Sequence, residues 1–325
     1  MNKAGLNRRV GAISPSLSLG ITSRAKALAA QGEHVCNFAA GEPDFDTPPH
    51  IKKAALEKLE AGETKYSPAT GLMSLRTRIS AKLREENGLA YDPTQIVVSN
   101  GAKHSLFNVF MALLRDGDEV IVPSPYWLSY PEMVRVAGGE SVIVKGEESE
   151  GFKLTPDRLR DAITARTKAL VLNSPSNPSG IVYSGDELRA LAEVAAEAGA
   201  YIVSDEIYEK ITYGVGHVSV GSLSPEIFEQ TVTVNGFSKA YAMTGWRLGY
   251  VAAPAPLAGA IAALQSHSTS GPNTFAQYGA IAALTGSDAE VQRMVDAFRE
   301  RRDYLYERLN GIDGITCVKP MGAFY

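Results

Sequence analysis

Two residues of opposite charge follow short apolar runs and could do chemistry together. Asp205 closes the run Tyr201–Ser204, and Lys239 follows Thr231–Val234 by way of Asn235-Gly236-Phe237-Ser238. A carboxylate at the end of a buried strand is costly unless a cation or a hydrogen-bond donor meets it; a helix N-cap is its plain structural alternative. A lysine between apolar strands is usually a surface residue, but here it follows a buried strand at the same sheet edge as Asp205. Three further runs end in residues worth weighing. Ser99-Asn100-Gly101-Ala102-Lys103 follows Gln95–Val98 and precedes an apparent helix. Strand, glycine and helix start form a cup of free N–H groups suited to an anion, though many ordinary loops contain a glycine. Pro123-Ser124-Pro125-Tyr126-Trp127 follows Glu119–Val122, and a Trp there packs a core or rim, or stacks on a flat ring. Asn173-Ser174-Pro175-Ser176-Asn177-Pro178-Ser179-Gly180 follows Ala169–Leu172, where two prolines and a glycine fix a loop that could hold the Asn177 amide.

These positions make sense only on elements that bring them together. The apolar runs at Gln95–Val98, Glu119–Val122, Ser141–Val144, Ala169–Leu172, Tyr201–Ser204, Thr231–Val234 and Leu248–Ala252 alternate with helical patterns such as Glu187–Ala198. That rhythm predicts a mainly parallel sheet covered on both faces. In such sheets a ligand sits at the carboxyl ends of the strands, where the residues above lie. Before the first run, Pro48-Pro49 opens a helix with Ile51, Ala55 and Leu59 on one face. Leu72, Leu75, Ile79 and Leu83 mark another, ended by Asn87-Gly88. The first fifteen residues carry no apolar period and read as an arm, and from about Ala289 the pattern becomes one long charged helix.

Composition narrows the classes. A chain of 325 residues holds two ordinary domains, or one large α/β domain with a smaller partner. Hydrophobic residues at 45 % and charged residues at 21 % are those of an ordinary soluble protein. A net charge of −4 gives no basic footprint for nucleic acid. Two cysteines, Cys36 and Cys317, cannot build a disulfide framework or a cysteine-rich metal site; no metal is expected, and a reducing, cytoplasmic setting is. Lys3, Arg8 and Arg9 are not followed by the apolar core of a signal peptide. From Leu248 to Ser287 there is no Asp, Glu, Lys or Arg, but Pro254, Pro256 and a polar stretch interrupt the run. It reads as buried or interfacial, and no membrane association is expected.

A phosphate cup, a flat-ring platform, an amide, a carboxylate and an amine thus converge on one sheet edge. Pyridoxal 5′-phosphate needs that set: its aldehyde condenses with a lysine, its ring nitrogen pairs with an acid, and its phosphate needs backbone donors and a cation. The sequence resembles the class I aminotransferases of fold type I, and within them the bacterial aspartate/prephenate aminotransferase branch. The resemblance runs from Arg8 to Tyr325, and its most specific stretches are AGEPDFDTP, TKYSPATG, NSPSNPSG, SDEIYE and NGFSKAYAMTGWRLGY.

The resemblance implies a mainly parallel seven-stranded sheet between helices in a large domain, with a smaller α/β domain beside it. The implied division is an arm over 1–15, the first part of the small domain over 16–47, the large domain over 48–288, and the start of the C-terminal small domain over 289–325. It implies that Lys239 bonds the cofactor and then carries a proton to and from the substrate α-carbon. Asp205 would pair with the ring nitrogen, Tyr208 and Asn177 with the ring 3′-oxygen, and Trp127 would stack on the ring. Gly101, Ala102 and Arg247 fall at the phosphate, with Lys103 beside them. Tyr66 falls where a tyrosine reaches the phosphate of the other subunit, which implies a homodimer with shared sites. Gly41 falls where backbone and substrate α-carboxylate meet.

Departures from the family pattern carry information. Many relatives have a serine three residues before the lysine, where this chain has Gly236. No arginine or lysine occurs between 248 and 287 to take a distal substrate carboxylate; in the branch resembled here, the match to Lys103 takes that role, with Ser18 as a second hydroxyl nearby. The family continues past the GAFY motif, so the arginine that clamps the substrate α-carboxylate is expected beyond Tyr325, and a fragment or an impaired product is expected here. The implied activity is ping-pong exchange of an amino group between aspartate or glutamate and a 2-oxo acid, with prephenate as a further acceptor. Its rivals are an aromatic or broad-range aminotransferase, a lyase of the cyclopropane-synthase kind, and an inactive remnant. A ligand sensor controlling a DNA-binding module would need a basic reading head, for which the segment before Gly41 is too short.

Overall fold

The computed structural model describes residues 5, 7–15, 17–38 and 41–325, the side chains of Ser18 and Leu19 apart. The helices before the sheet are α1 (Arg8–Gly11), α2 (Leu17–Ala30), α3 (Pro49–Glu60) and α4 (Met73–Asn87). Every predicted apolar run is a strand. In chain order the elements are β1 (Ile96–Ser99), α5 (Ala102–Leu113), β2 (Glu119–Ser124), α6 (Ser129–Ala137), β3 (Glu140–Lys145), α7 (Pro156–Ala162), β4 (Thr167–Asn173), α8 (Gly185–Glu197) and β5 (Tyr201–Asp205). Then come α9 (Pro225–Gln230), β6 (Thr231–Gly236), β7 (Gly249–Ala252), α10 (Ala255–Ser268), α11 (Thr274–Thr285) and α12 (Ala289–Asn310).

The strands form one seven-stranded sheet in the order β1-β7-β6-β5-β4-β2-β3. Neighbours from β6 to β3 run parallel, and β7 lies antiparallel to both β1 and β6. The reason is the connection: residues 237–248 contain no helix able to carry the chain back across the sheet, so it turns at the carboxyl edge and β7 returns. Gly249 therefore pairs with Gly236 on one side and Ser99 on the other. This turn brings Lys239 and Arg247 to the edge where β1, β4 and β5 also end.

Both faces of the sheet are covered except along the edge strand β3, whose residues are exposed or half-buried, and the covered strands are continuous apolar runs for that reason. Val120, Val122, Val171, Val203 and Val234 pack with Leu106 and Phe110 of α5, Val134 of α6 and Ile261 of α10. Ile121, Leu170, Leu172 and Ile202 face Leu188 and Leu191 of α8. Ile96, Val98 and Tyr250 meet Leu75, Ile79 and Leu83 of α4, with Ala280 of α11 and Phe298 of α12. Local signals match: Ser184 and Glu187 close a capping box on α8, and Gly88, at φ 69°, ends α4 in the left-handed region that glycine adopts freely.

Two details differ from the sequence reading. The arm contains a single helical turn, α1, where Asn7 accepts from the backbone N–H of Arg9 and caps it. Ile51 and Ala55 are buried as expected, but Leu59, on the same face, is 42 % exposed. The uncharged stretch 248–287 folds as β7, α10 and α11, which send Leu257, Ile261, Ala276 and Ala280 into the core. After α12, Met321 and Ala323 bond back to Tyr213 and Ile211, returning Tyr325 to the sheet edge. No described helix is long and apolar enough to cross a membrane.

Candidate active site at the carboxyl ends of the strands

Asp205 ends β5, fully buried, and its carboxylate meets only neutral donors. The Tyr130 hydroxyl donates to Oδ2 at 2.6 Å and the Ile207 N–H to Oδ1 at 3.3 Å. Burial pushes its pKa up to about 6, with the Tyr130 hydroxyl opposing that rise. The cap alternative is met in part by the Ile207 contact, but no helix starts there.

Lys239 faces it across the same edge. Its ammonium donates to the Gly41 carbonyl at 2.5 Å and lies 5.8 Å from the Tyr208 ring and 5.4 Å from the Phe324 ring. Burial lowers its pKa to about 8, held up by the Glu42 and Asp205 charges and pushed down by Arg247 and Lys103. Glu42 was not singled out in the sequence; it accepts from the Thr244 hydroxyl at 3.0 Å, so the segment 41–48 is anchored on the turn after Lys239. Thr47 adds to this anchor by donating to the Ala242 carbonyl at 2.7 Å.

Around this pair the loops fall into place. The Tyr208 hydroxyl is bonded by the Asn177 side chain and lies 3.1 Å from that of Tyr325. Asn177 is itself held by Asn173, whose amide accepts from the Asn177 N–H at 2.7 Å and donates to the Asp205 carbonyl at 2.9 Å. Gly41 allows this approach, because a Cβ there would collide with the Tyr325 hydroxyl. Trp127 is half-buried, edge-on to Tyr130 at 5.3 Å, and the Lys103 ammonium lies 4.8 Å from its ring. Desolvation, then the Arg247 charge, hold Lys103 below the ordinary lysine range.

The anion cup is built by close backbone approach. Gly101 caps α5 at φ 86°, and a Cβ on it would sit 3.0 Å from Arg247 Cζ. The first N–H groups of α5, those of Ala102 and Lys103, have no acceptor within the helix. Arg247 donates to the carbonyls of Thr244 at 3.0 Å and Asn100 at 3.4 Å, and its guanidinium stays exposed. Gly236 has a packing reason: a Cβ there would lie 2.9 Å from Gly249 Cα, and Gly249 itself is pressed on the backbone of Ala102.

Of the residues expected at the site, the structure thus brings together Gly41, Gly101, Ala102, Lys103, Trp127, Asn177, Asp205, Tyr208, Lys239 and Arg247. Tyr66 is not among them: it is 98 % exposed and, among the described residues, touches none of this group. The Ser18 side chain lies outside the described residues. Sequence reasoning missed Tyr130, Asn173, Glu42 and Tyr325; Asn173 was findable, since it is the last residue of a buried strand.

A buried acid with only neutral donors, a desolvated amine and a cationic cup can hold a planar anionic ligand and move a proton beside it. The family model for aminotransferases of class I and II matches residues 33–325. The aspartate aminotransferase of Geobacillus stearothermophilus is 52 % identical over 321 residues, covering 98 % of this chain and 82 % of that protein. The aspartate/prephenate aminotransferase of Thermus thermophilus is 49 % identical over 324 residues, covering 99 % and 83 %. A solved structure of aspartate aminotransferase from Thermus thermophilus with maleate superposes with a TM-score of 0.95 at 49 % identity, over 98 % of this chain and 83 % of that one.

Proposed function

This chain belongs to the family of class I and II aminotransferases, and from that premise we propose that it is a pyridoxal 5′-phosphate enzyme exchanging an amino group between aspartate or glutamate and a 2-oxo acid, prephenate included. The observation that carries this is the opposed pair at the sheet edge: a buried carboxylate raised to about 6, hydrogen-bonded by neutral donors and only weakly compensated by the Lys239 charge, facing an amine lowered to about 8. Asp205 would pair directly with a cationic ring nitrogen, and a depressed amine is the form that can bond a carbonyl and take a proton at neutral pH.

The residues fit the cofactor. Gly101 lets the Arg247 guanidinium lie against the start of α5, where any Cβ would collide with it, so that a cation and free backbone N–H groups stand side by side, which suits a phosphate. When bound, the cofactor supplies an electron sink for the bond broken at the substrate α-carbon. Lys239 would hold it covalently, and its amine, oriented by the Gly41 carbonyl, would then move the α-proton. Asp205 would hold the ring nitrogen protonated, Tyr208 and Asn177 would bond the ring oxygen, and Trp127 would cover one ring face. Gly101, Ala102, Lys103 and Arg247 would hold the phosphate end, with Lys103 and Ser18 also serving the distal group of the substrate and Gly41 its α-carboxylate. The division at residues 15, 47 and 288 belongs to the same reading, as does a cytoplasmic setting, in line with free Cys36 and Cys317.

A homodimer completes this reading, with Tyr66 reaching the phosphate of a second copy. Its near-complete exposure supports the idea. The test of the whole reading is borohydride reduction of the protein with pyridoxal 5′-phosphate, followed by peptide mapping. The label is expected on Lys239, and Lys239→Ala is expected to lose both the label and the visible absorbance. A label on Lys103 or another lysine overturns the assignment.

A further inference from the structure

Tyr130 is as deeply buried as Asp205 and belongs to none of the groups assigned above. It stands on the first turn of α6 and contributes its ring to the core between α5 and the sheet. At its tip the hydroxyl donates to Asp205 Oδ2 at 2.6 Å, the shortest contact that carboxylate makes. At its flank the ring meets Trp127 edge-on, with centroids 5.3 Å apart and planes at 87°. That arrangement is one of the preferred aromatic geometries and resists tilting of either ring. Trp127 in turn carries the Lys103 ammonium over its face. One side chain therefore touches both the acid at one end of the site and the platform that leads to the other.

We propose that Tyr130 is the positioning residue of this site, engaging Asp205 Oδ2 with a close donor so that Oδ1, which meets only the longer Ile207 N–H contact at 3.3 Å, is the oxygen offered to a ring nitrogen, while its ring sets the tilt of Trp127. This rests on the reading of Asp205 as the partner of the cofactor ring nitrogen. An O–H donor favours the carboxylate over the carboxylic acid at a buried position. A proton shared between Asp205 and a ring nitrogen is then kept on the nitrogen, where electron withdrawal needs it. Phenylalanine at 130 would keep the packing and remove only the donor.

The test uses the holoenzyme with pyridoxal 5′-phosphate labelled with ¹⁵N in the ring. The wild-type ring nitrogen is expected to resonate as protonated, and Tyr130→Phe is expected to move it toward the unprotonated position. Turnover should fall by about tenfold, the usual effect of losing one hydrogen bond to a charged group, with little change in melting temperature. With the 1-deaza analogue, which has no ring nitrogen, wild type and Tyr130→Phe should turn over alike. Site-specific 3-fluorotyrosine at 130 keeps the ring and strengthens the donor, so the nitrogen should stay protonated to higher pH; this arm decides the matter if the phenylalanine variant does not fold. Asp205→Asn separates the two claims. If that substitution leaves the nitrogen signal unchanged, the reading of Asp205 fails. If it shifts the signal while neither change at 130 does, or if Tyr130→Phe slows the deaza enzyme equally, the positioning role is overturned.

Discussion

Asp205 and Glu209 sit four residues apart, and burial acts on both to raise the carboxyl pKa, yet they end far apart. Asp205 rests at about 6, because burial outweighs its neutral hydrogen-bond donors and the weaker pull of the Lys239 charge, which makes no ion pair with it. Glu209 is held far below the usual carboxylate range, because the Lys82 and His217 charges and the Asn87 amide outweigh its burial. Lys82 pairs with it directly and also donates to the Asn87 side chain at 2.8 Å. Beside it Glu206 is saturated by the hydroxyls of Ser204 and Ser219 and by His217, at 2.8, 2.6 and 3.0 Å. Glu206, Glu209 and His217 bring ligand atoms within 4.8 Å of one another, as a metal would require. The Lys82 ammonium already stands there as the cation. The difference teaches where to look for function: a buried acid ion-paired within the chain is structure, and one left without a direct ion pair waits for a ligand.

The strongest break of this comparison is a pair of isosteric amides. Asp205→Asn is expected to lower turnover by several powers of ten, each ~1.4 kcal/mol of transition-state stabilisation being about tenfold, while stability stays level or rises. Glu209→Gln is expected to do the reverse, since leaving Lys82 half-paired costs about 3 kcal/mol. Thermal unfolding and turnover per folded molecule, measured on both variants, check this. A Glu209 variant that unfolds normally but has lost turnover would erase the distinction.

The same two residues should tilt stability with pH in opposite senses. Asp205 has a folded pKa near 6 against an ordinary aspartate value of 3.8, so the folded state binds its proton more tightly. Its contribution is most favourable below the unfolded value and is lost as pH rises toward 6, a change on the order of 3 kcal/mol. The lowered pKa of Glu209 contributes stability above 4.5, which disappears as pH falls through its folded value. Urea unfolding of the cofactor-free protein between pH 4 and 7 should show the Asp205 slope, and Asp205→Asn should flatten it. An unchanged slope in that variant would remove the claim that Asp205 is uncompensated.

Much of this was legible in the sequence, for a physical reason. Strands covered on both faces must be apolar throughout, so Thr231–Val234 or Ala169–Leu172 announce themselves, and polar residues at their ends stand out. Asp205, Lys239, Gly101 and Asn177 were found that way. Tyr130 was not, because its spacing with Met133 and Val134 is that of any core helix face, and its partner lies on a strand 75 residues away. Tyr325 escaped for a similar reason: only the return of the chain to Ile211 and Tyr213 brings it to Tyr208. Gly236, by contrast, was visible as a departure but not explicable, since its cause is the pairing of β6 with the antiparallel β7.

The smallest expected effect concerns a third lysine. Lys82 is locked on Glu209 and Lys239 is bonded to a carbonyl, whereas Lys103 is exposed and, among the described residues, meets no carboxylate, only the Trp127 ring. It stands on the first turn of α5, where the helix dipole is already positive and a cation is unfavourable. A solvated lysine would gain by turning away into water; this one is drawn over the ring toward the site, with desolvation and Arg247 lowering its pKa. A distal substrate carboxylate would relieve both penalties at once. Lys103→Ser should therefore lower kcat/KM for aspartate by about tenfold, the lower end of what a charge-assisted contact of roughly 1.5–3 kcal/mol is worth at an exposed position. The value for alanine should barely move. Equal losses on aspartate and alanine would mean that Lys103 supports the phosphate cup and leaves the choice of substrate to other residues.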